Sequence, residues 1–410
     1  MKKWIGIVVI LFGISMAQEP EPVDSAKIWF SIGVDYLNKN MYEDALRNFK
    51  RALKFNPNFI PAHLDMARAY LGIGTNYLSR GLVDSSNIYI DSAEVVYRSI
   101  SSIDSTDSRG WQGLGFIYST IKNDPQKAVE FYNMALSLDP ENVDAVYGLA
   151  KTYENLGEKE KADSVYKTAI TKNPNSVSIN YSYGLFLVEL SRFDEAIPYL
   201  EKAYEIGIED VDRLKEVLNA IVRASLQVGK TNKDYFNKAV HYSNILIELD
   251  SLNFVYYIDR GDAYAGLGRS NQALKDYDKS IELSGGNPAA YIKKAMYLTY
   301  DLKRYNDAIS VLQNLLESEN LSDYYRALGN FLLGDCYFNV GNANYQAAKA
   351  RSNRDGAGDA VRYYERAKEA YNTALRYADA SLRDQIARRL DLAESNRSKA
   401  FGVWKGIEPW

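Results

Sequence analysis

Two histidines and one cysteine are the side chains of this sequence best suited to nucleophilic or metal chemistry. His63 and His241 lie far apart in the chain, and no histidine–cysteine cluster has the spacing that zinc requires. A serine hydrolase would need one of these imidazoles beside a positioned serine, and no nucleophile motif supplies it. Cys336 stands in the apolar stretch 331–338, which favours a buried, inert thiol.

The sequence also contains no motif for phosphate binding or for acid–base catalysis. The segment Gly72-Ile73-Gly74 lacks the preceding strand and the Lys–Ser/Thr ending of a phosphate-binding loop. Carboxylates are plentiful, but they fall on amphipathic helical segments, where acidic side chains are usually solvated. We therefore predict no catalytic residue, no cofactor and no metal, and a protein that is not an enzyme.

A fixed pattern of small and aromatic residues recurs through most of the chain, and it defines the elements that would position any site. Small residues let two antiparallel helices approach closely, and aromatic residues fill the space beside them. A proline just past the second helix ends it. The first copy reads Trp29, Gly33, Tyr36, Ala45, Phe49, Ala52 and Pro57, and the spacing returns as Ala150, Tyr153, Ala162, Tyr166, Ala169 and Pro174, and as Gly261, Tyr264, Ala273, Tyr277 and Ser280.

This pattern resembles the tetratricopeptide repeat family, whose repeats carry these residue types at these spacings. About nine copies cover nearly all of the chain. The resemblance implies an all-α fold, a right-handed superhelical solenoid of antiparallel helix pairs. A last helix with one polar side, formed by Arg383, Arg388 and Asp391 among others, is expected to cap the array.

Several copies depart from the regular spacing. The second copy is longer, which predicts extended helices over Pro61–Arg80 and Asp84–Ile103. The sixth carries extra residues around 229–234 and the ninth around 342–359. Such insertions either form loops or helix ends on one face, often a functional one, or are neutral drift. The third copy has one extra residue in its turn, and the eighth is aligned with Met296 and Thr299 at the small and aromatic positions.

The N-terminus has the layout of a secretory signal peptide. Lys2 and Lys3 precede an apolar stretch from Trp4 to Ile14, and small residues stand at Ser15 and Ala17. We expect cleavage after Ala17 and a periplasmic or secreted protein, with no transmembrane span after cleavage. The predicted divisions are a signal peptide over 1–17, a linker over 18–25, the repeat array over 26–379, a capping helix over 380–400 and a tail over 401–410.

The resemblance also implies where a partner would bind. In the family, the first helix of each pair lines a concave groove, so the residues three before and one after each Gly33-like position are groove candidates. The groove would be aromatic with isolated charges, including Asp262 and Asp335, although the aromatics could instead pack against neighbouring helices. The partner-binding candidates are Phe30, Arg68, Phe116, Tyr147, Lys151, Tyr181, Tyr297 and Phe331.

The distribution of charged residues indicates which classes of partner the protein could bind. The net charge of −4 gives no indication that the protein binds nucleic acid. Residues 347–405 contain 13 basic and 8 acidic residues, a local charge of +5 that could favour peripheral contact with an anionic surface. We expect a protein-interaction scaffold in the bacterial envelope that binds peptides or proteins. The alternative is an extracytoplasmic glycan- or peptidoglycan-binding protein that stacks exposed aromatics on sugar rings.

Overall fold

The computed structural model describes residues 22–409, and every regular element in that range is helical. The predicted signal peptide lies outside the described residues. In this range eighteen α-helices form nine consecutive pairs and a nineteenth follows them, so the prediction of an all-α array of helix pairs is confirmed. The chain divides into two compact units, with the boundary after Ser182.

Unit 1, the described residues up to Ser182, contains the first four pairs. Their cores form one apolar cluster from Ala45 to Leu149, in which small residues such as Ala45 and second-helix aromatics such as Phe49 are buried, and against which Tyr36 and Tyr153 pack partly buried. The helices are α1 Pro22–Asn38, α2 Tyr42–Phe55, α3 Ile60–Ser79, α4 Val83–Ile103, α5 Arg109–Phe116, α6 Pro125–Leu138, α7 Val143–Asn155 and α8 Lys159–Lys172; α9, Val177–Glu189, contains the boundary.

Unit 2 begins at Tyr183 and contains the remaining helices. Its apolar clusters are again built from small and aromatic side chains, with Tyr277 and Tyr371 buried in them. The helices are α10 Phe193–Ile206, α11 Val211–Val228, α12 Asp234–Leu249, α13 Phe254–Gly266, α14 Ser270–Leu283, α15 Pro288–Met296, α16 Tyr305–Leu316, α17 Asp323–Ala350, α18 Arg354–Tyr377 and α19 Ala380–Trp404.

One turn type joins the two helices of eight pairs. A residue with positive φ ends the first helix, and a backbone N–H just beyond it donates to a carbonyl in the last helical turn, as in a Schellman cap. In the first pair the N–H of Met41 donates to the carbonyl of Tyr36 at 2.9 Å, with Asn40 at φ 57°. The positive-φ residues of these turns are Asn40, Gly81, Asn123, Gly157, Ser191, Gly268, Lys303 and Ser352.

Two of these turns contain one extra residue, and a π-helical segment accommodates it. The segments Ile117–Ile121 and Tyr297–Asp301 follow directly on α5 and α15. Their closing bonds span six residues rather than five, from the N–H of Asp124 to the carbonyl of Tyr118 and from Arg304 to Leu298, each 2.8 Å long. A π-bulge lets a helix carry an insertion without losing its packed face.

The π-bulge corrects the predicted alignment of the eighth copy. Ala295 and Leu298, rather than Met296 and Thr299, occupy the small and aromatic positions of that copy. Ala295 and Leu298 are buried, whereas Met296 is 40% exposed. Counting back from Ala308 with the regular spacing placed the whole first helix one residue out of register.

Most of the extra length of the long copies is helical. The structure extends α3 and α4, as predicted, and it also extends α17 and α18, so the expected excursion over 342–359 lies in two long helices and the short turn between them. The extra residues of the sixth copy lie partly in α11 and partly in the turn over 229–233.

Both predicted ends of the array shift by a few residues. Helix α1 already begins at Pro22, where proline suits the first helical position, so residues 22–25 are not linker. At the other end α19 continues through Gly402 to Trp404, because burial of Ala400 and Val403 outweighs the roughly 1 kcal/mol that a helical glycine costs. Gly406, at φ 73°, is the residue that ends the helix.

Candidate functional site

The most exposed aromatic pair among the predicted residues lies in unit 1. Phe116 is 41% exposed and Tyr147 is 51% exposed. Each adjoins a glycine, Gly115 or Gly148, at which a Cβ atom would overlap the ring of Tyr132. The Tyr132 ring therefore lies between the two glycines and holds the two exposed aromatics near one another on α5 and α7. We call Phe116 and Tyr147 the aromatic pair.

The other unit 1 candidates are only partly available to a partner. Arg68 is exposed and forms an ion pair with Asp65 at 3.2 Å. Lys151 is half-buried and lies 2.7 Å from Glu154. Phe30 packs its ring against Phe49, with ring centroids 5.9 Å apart. Tyr181 is partly buried as well.

Two predicted groove residues are buried rather than exposed. Tyr297 is 6% exposed and Phe331 is 3% exposed. Tyr297 was placed in the groove by the register error that the π-bulge introduced. Phe331 lies on the expected face of its helix, but the Tyr371 ring covers it, with centroids 6.0 Å apart. Its assignment as a surface residue was wrong because spacing fixes a helix face and not what covers it.

Asp335, expected as a groove charge, is also buried. Its carboxylate accepts hydrogen bonds from the hydroxyls of Tyr371 at 2.6 Å and Tyr300 at 2.7 Å, and Arg389 of α19 lies 3.5 Å away. Burial, with the negative charge of Asp335, raises the pKa of both tyrosines. This carboxylate connects four helical segments and is a structural node rather than a binding residue.

One concavity of unit 2 has a volume of about 640 Å³, and we call it the unit 2 cavity. Pockets of this size hold small ligands or side chains of a bound peptide. Its wall combines aromatic, aliphatic and charged groups from several helices. It is lined by Val188, Phe193, Arg223, Leu226, Gln227, Lys230, Phe236, Asp259, Asp262, Ala265, Gly266, Tyr277, Lys293, Met296, Tyr297 and Asp301.

Local packing explains how the aromatic part of this wall is held. A Cβ atom at Gly229 or Gly266 would overlap the ring of Phe236, so only glycine at both positions lets that ring fit between the turn after α11 and the end of α13. The hydroxyl of Tyr297 donates to Ser270 at 3.0 Å. These contacts fix two aromatic walls of the cavity.

The carboxylates of the cavity differ in how well they are satisfied. Asp262 accepts a hydrogen bond from the Tyr277 hydroxyl at 2.7 Å and another from the Lys293 ammonium at 2.6 Å. Asp259, which the sequence reasoning missed, has its Oδ2 shielded from solvent and without a hydrogen-bond partner among the described residues. Burial, followed by the nearby charge of Asp262, raises the pKa of Asp259 to about 6.

The residues with nucleophilic or metal-ligating side chains do not assemble into a site. The His63 Nε2 lies 2.8 Å from the carbonyl of Pro57, and His241 packs edge-on against Tyr242. Cys336 is buried beside Thr299, and burial raises the pKa of its thiol to about 11. Within the described part of the chain, no group of three or more histidine, cysteine, aspartate or glutamate side chains could hold a metal ion.

Comparison with known proteins supports the repeat assignment directly. Profiles described as tetratricopeptide repeat match residues 26–59, 120–181, 177–206 and 255–287. The chain therefore contains tetratricopeptide repeats, the helix-pair modules that the fold displays. No helix in the described range is both long enough and apolar enough to cross a membrane.

Two of the relatives are distant proteins that are longer than this chain. A TPR repeat-containing protein of Methanocaldococcus jannaschii is 22% identical over 74% of this chain and 52% of its own length. The human protein O-mannosyl-transferase TMTC3 is 26% identical over 37% of this chain and 20% of its own length. Thus the chain spans about half of the first relative and about a fifth of the second.

Among solved structures, YrrB is a similar chain, described as a TPR protein with an unusual peptide-binding site. It is 21% identical, with a TM-score of 0.38, and the match covers 47% of this chain and 95% of YrrB.

Proposed function

We propose that this chain is a non-enzymatic scaffold that binds peptide or protein partners in the bacterial envelope. Tetratricopeptide repeats act as protein-interaction scaffolds, and the matched segments fall in both units. The observation that carries the proposal is the aromatic pair, Phe116 and Tyr147, which stays exposed on a rigid support. Large rigid aromatics are the side chains that most often dominate binding energy in interfaces.

Export is the second half of the proposal, and the N-terminal sequence supports it. Full-length protein produced in a Gram-negative host should appear in the periplasm with Gln18 as its first residue. Mass spectrometry of the purified protein measures that end directly. An Ala17→Arg variant should retain residues 1–17. Cytoplasmic protein with an intact N-terminus would contradict export and leave the binding proposal standing.

Capture from envelope extracts tests the binding half. The tagged protein should retain specific partners, and Phe116→Ala combined with Tyr147→Ala should remove most of them. Truncating central interface aromatics commonly costs about 2 kcal/mol or more each. Quantitative mass spectrometry of the eluates measures the loss.

A matched control removes the same residue types elsewhere. Phe55→Ala with Tyr324→Ala deletes a phenylalanine and a tyrosine that are 46% and 56% exposed, outside the aromatic pair. This variant should capture partners as well as the original protein does. Equal capture by both double variants would exclude the aromatic pair, and sedimentation with purified cell wall in the absence of protein would indicate glycan binding instead.

A further inference from the structure

The unit 2 cavity contains a carboxylate that the protein itself does not satisfy. Asp259 lines the cavity, but its Oδ2 is shielded from solvent and accepts no hydrogen bond from a described residue. The neighbouring Asp262 differs, since it receives both Tyr277 and Lys293. A carboxylate partly withdrawn from water is costly to keep charged, and a cation that enters the cavity beside it offsets that cost.

We propose that the unit 2 cavity binds a basic side chain, lysine or arginine, of a polypeptide partner, with Asp259 as its carboxylate. This inference rests on the proposed function, because it names the group that a bound polypeptide presents. A cationic donor is favoured over a neutral one because charge-assisted hydrogen bonds are about twice as strong.

The aromatic wall suits the same ligand. Phe236, Tyr277 and Tyr297 line the cavity together with the thioether of Met296. Lysine and arginine carry three or four methylene groups that pack on apolar surface, and their charged ends are attracted to ring faces. A volume of about 640 Å³ holds such a side chain with part of the adjoining backbone.

The positive groups of the wall do not make it an anion site. Lys293 is neutralised by Asp262 at 2.6 Å, and Lys230 donates to the side chain of Gln227 at 2.7 Å. Arg223 is exposed, so water screens its charge, and together with Lys293 it offsets the burial of Asp259 and the nearby charge of Asp262 only in part. Asp259 is therefore a carboxylate of the wall whose charge is incompletely compensated, and the ligand that complements it is a cation.

Methyl NMR of the full chain tests this with small side-chain analogues. The chain has six methionines, and Met296 is the methionine that lines the cavity. n-Butylammonium and n-propylguanidinium are titrated into protein with ¹³C-labelled methionine methyl groups, with n-butanol as the uncharged counterpart. Met296→Leu assigns the signal. We expect a saturable shift of the Met296 methyl with both cations, and no saturable shift with n-butanol.

Two matched variants identify the carboxylate. Asp259→Asn keeps the shape of the side chain and should weaken cation binding by about tenfold or more, the expected loss for a charge-assisted hydrogen bond. Asp307→Asn makes the same change on the surface of α16, outside the cavity, and should bind as the original does. Thermal unfolding by circular dichroism confirms that both variants are folded.

Each outcome has a distinct meaning. Equal shifts with n-butanol, or unchanged cation binding in Asp259→Asn, would overturn the inference. Partner capture that depends on the aromatic pair, without any cation effect at Met296, would overturn it while leaving the proposed function intact. Cation binding that depends on Asp259, with no polypeptide captured, would keep the amine site and remove the proposed function.

Discussion

Asp335 and Asp259 are both withdrawn from solvent in unit 2, yet only Asp335 is fully satisfied. Two tyrosine hydroxyls and an arginine surround Asp335, so its charge is stabilised inside the fold. Asp259 has an oxygen with no donor. A buried carboxylate with hydrogen-bond donors around it stabilises the fold. A buried carboxylate without them lowers the free energy of unfolding and remains able to bind a ligand.

Removing one hydroxyl from the Asp335 node should destabilise unit 2 measurably. Tyr371→Phe keeps the buried ring and deletes the 2.6 Å bond to Asp335. Hydrogen bonds to charged groups contribute about 1.5–3 kcal/mol, so the free energy of unfolding should fall by that order. Urea denaturation, monitored by circular dichroism, measures this free energy. Tyr324→Phe alters an exposed ring on α17, the helix of Asp335, and should change this free energy by less than about 0.5 kcal/mol.

The titration of Asp259 should make the free energy of unfolding depend on pH. Its pKa is about 6 in the folded protein and 3.8 as the reference value, so the folded state holds the proton more tightly. The resulting cost is absent below pH 3.8, grows as pH rises to about 6 and is complete above it. Arg223 and Lys293 offset the neighbouring negative charge of Asp262 only in part.

Asp259→Asn should therefore stabilise the protein at pH 7.5 by roughly 1–3 kcal/mol, since one pKa unit corresponds to about 1.36 kcal/mol. Thermal unfolding at pH 7.5 and at pH 4.5 measures the effect, which should be much smaller at the lower pH. Asp307→Asn should show no such difference. A variant less stable than the original at pH 7.5 would contradict the unsatisfied state of this carboxylate.

Sequence alone predicted the buried scaffold positions better than the site. Phe331 lies three residues before the small position of its repeat, as Phe30 does, whereas Phe116 lies one residue after its own. The second-helix aromatics Tyr371 and Phe49 pack against Phe331 and Phe30, with ring centroids 6.0 and 5.9 Å apart. This packing within the pair covers the earlier position, and an assignment by helix face alone does not include it. Asp259 was missed for a related reason: an acidic residue on a helix is normally solvated, and only the surrounding helices remove its water.

At the scale of elements, helix lengths were predictable wherever insertions were long. The extended helices expected over Pro61–Arg80 and Asp84–Ile103 are observed at Ile60–Ser79 and Val83–Ile103. A single extra residue was harder to place, because it can lie in the turn or within the helix at similar cost. The structure places it in the π-helical segments before Asn123 and Lys303.

The turn before α16 offers a test of this geometry. Lys303 has φ 55°, a conformation that costs a residue with a Cβ about 1–2 kcal/mol. Lys303→Gly should stabilise the protein by up to about 1 kcal/mol after the loss of chain entropy in the unfolded state. Chemical denaturation measures the gain. Lys303→Ala, which removes the side chain but keeps the Cβ, should give no gain, and equal gains would contradict the strained turn.

At the scale of the whole molecule, each unit has its own apolar core, and α19 completes that of unit 2. Ile386, Ala393 and Ala400 bury one side of α19 against the last helix pair. Trp404 packs on Gly358, with the Lys405 ammonium 4.0 Å from the ring centroid. Repeat arrays need such a terminal element, because an uncovered repeat face is apolar.

Deleting residues 380–410 should therefore expose the α18 face and lower the solubility of the protein. Size-exclusion chromatography and binding of a hydrophobic dye measure aggregation and exposed apolar surface. Deleting residues 406–410 alone retains α19 and should leave both measurements close to those of the full chain. A soluble, monomeric protein without α19 would show that the last helix pair needs no cap.

The shared turn also determines how this chain can change length. The turn closes in the same way after the short helix α7 and after the long helices α3 and α17, so its geometry is independent of the length of the helix before it. Additions that lengthen both helices of a pair by whole turns keep the packed face, and a single leftover residue is absorbed by a π-bulge. Protein engineers can use the same rule, lengthening a chosen pair in steps of about seven residues, two helical turns, without redesigning its turn.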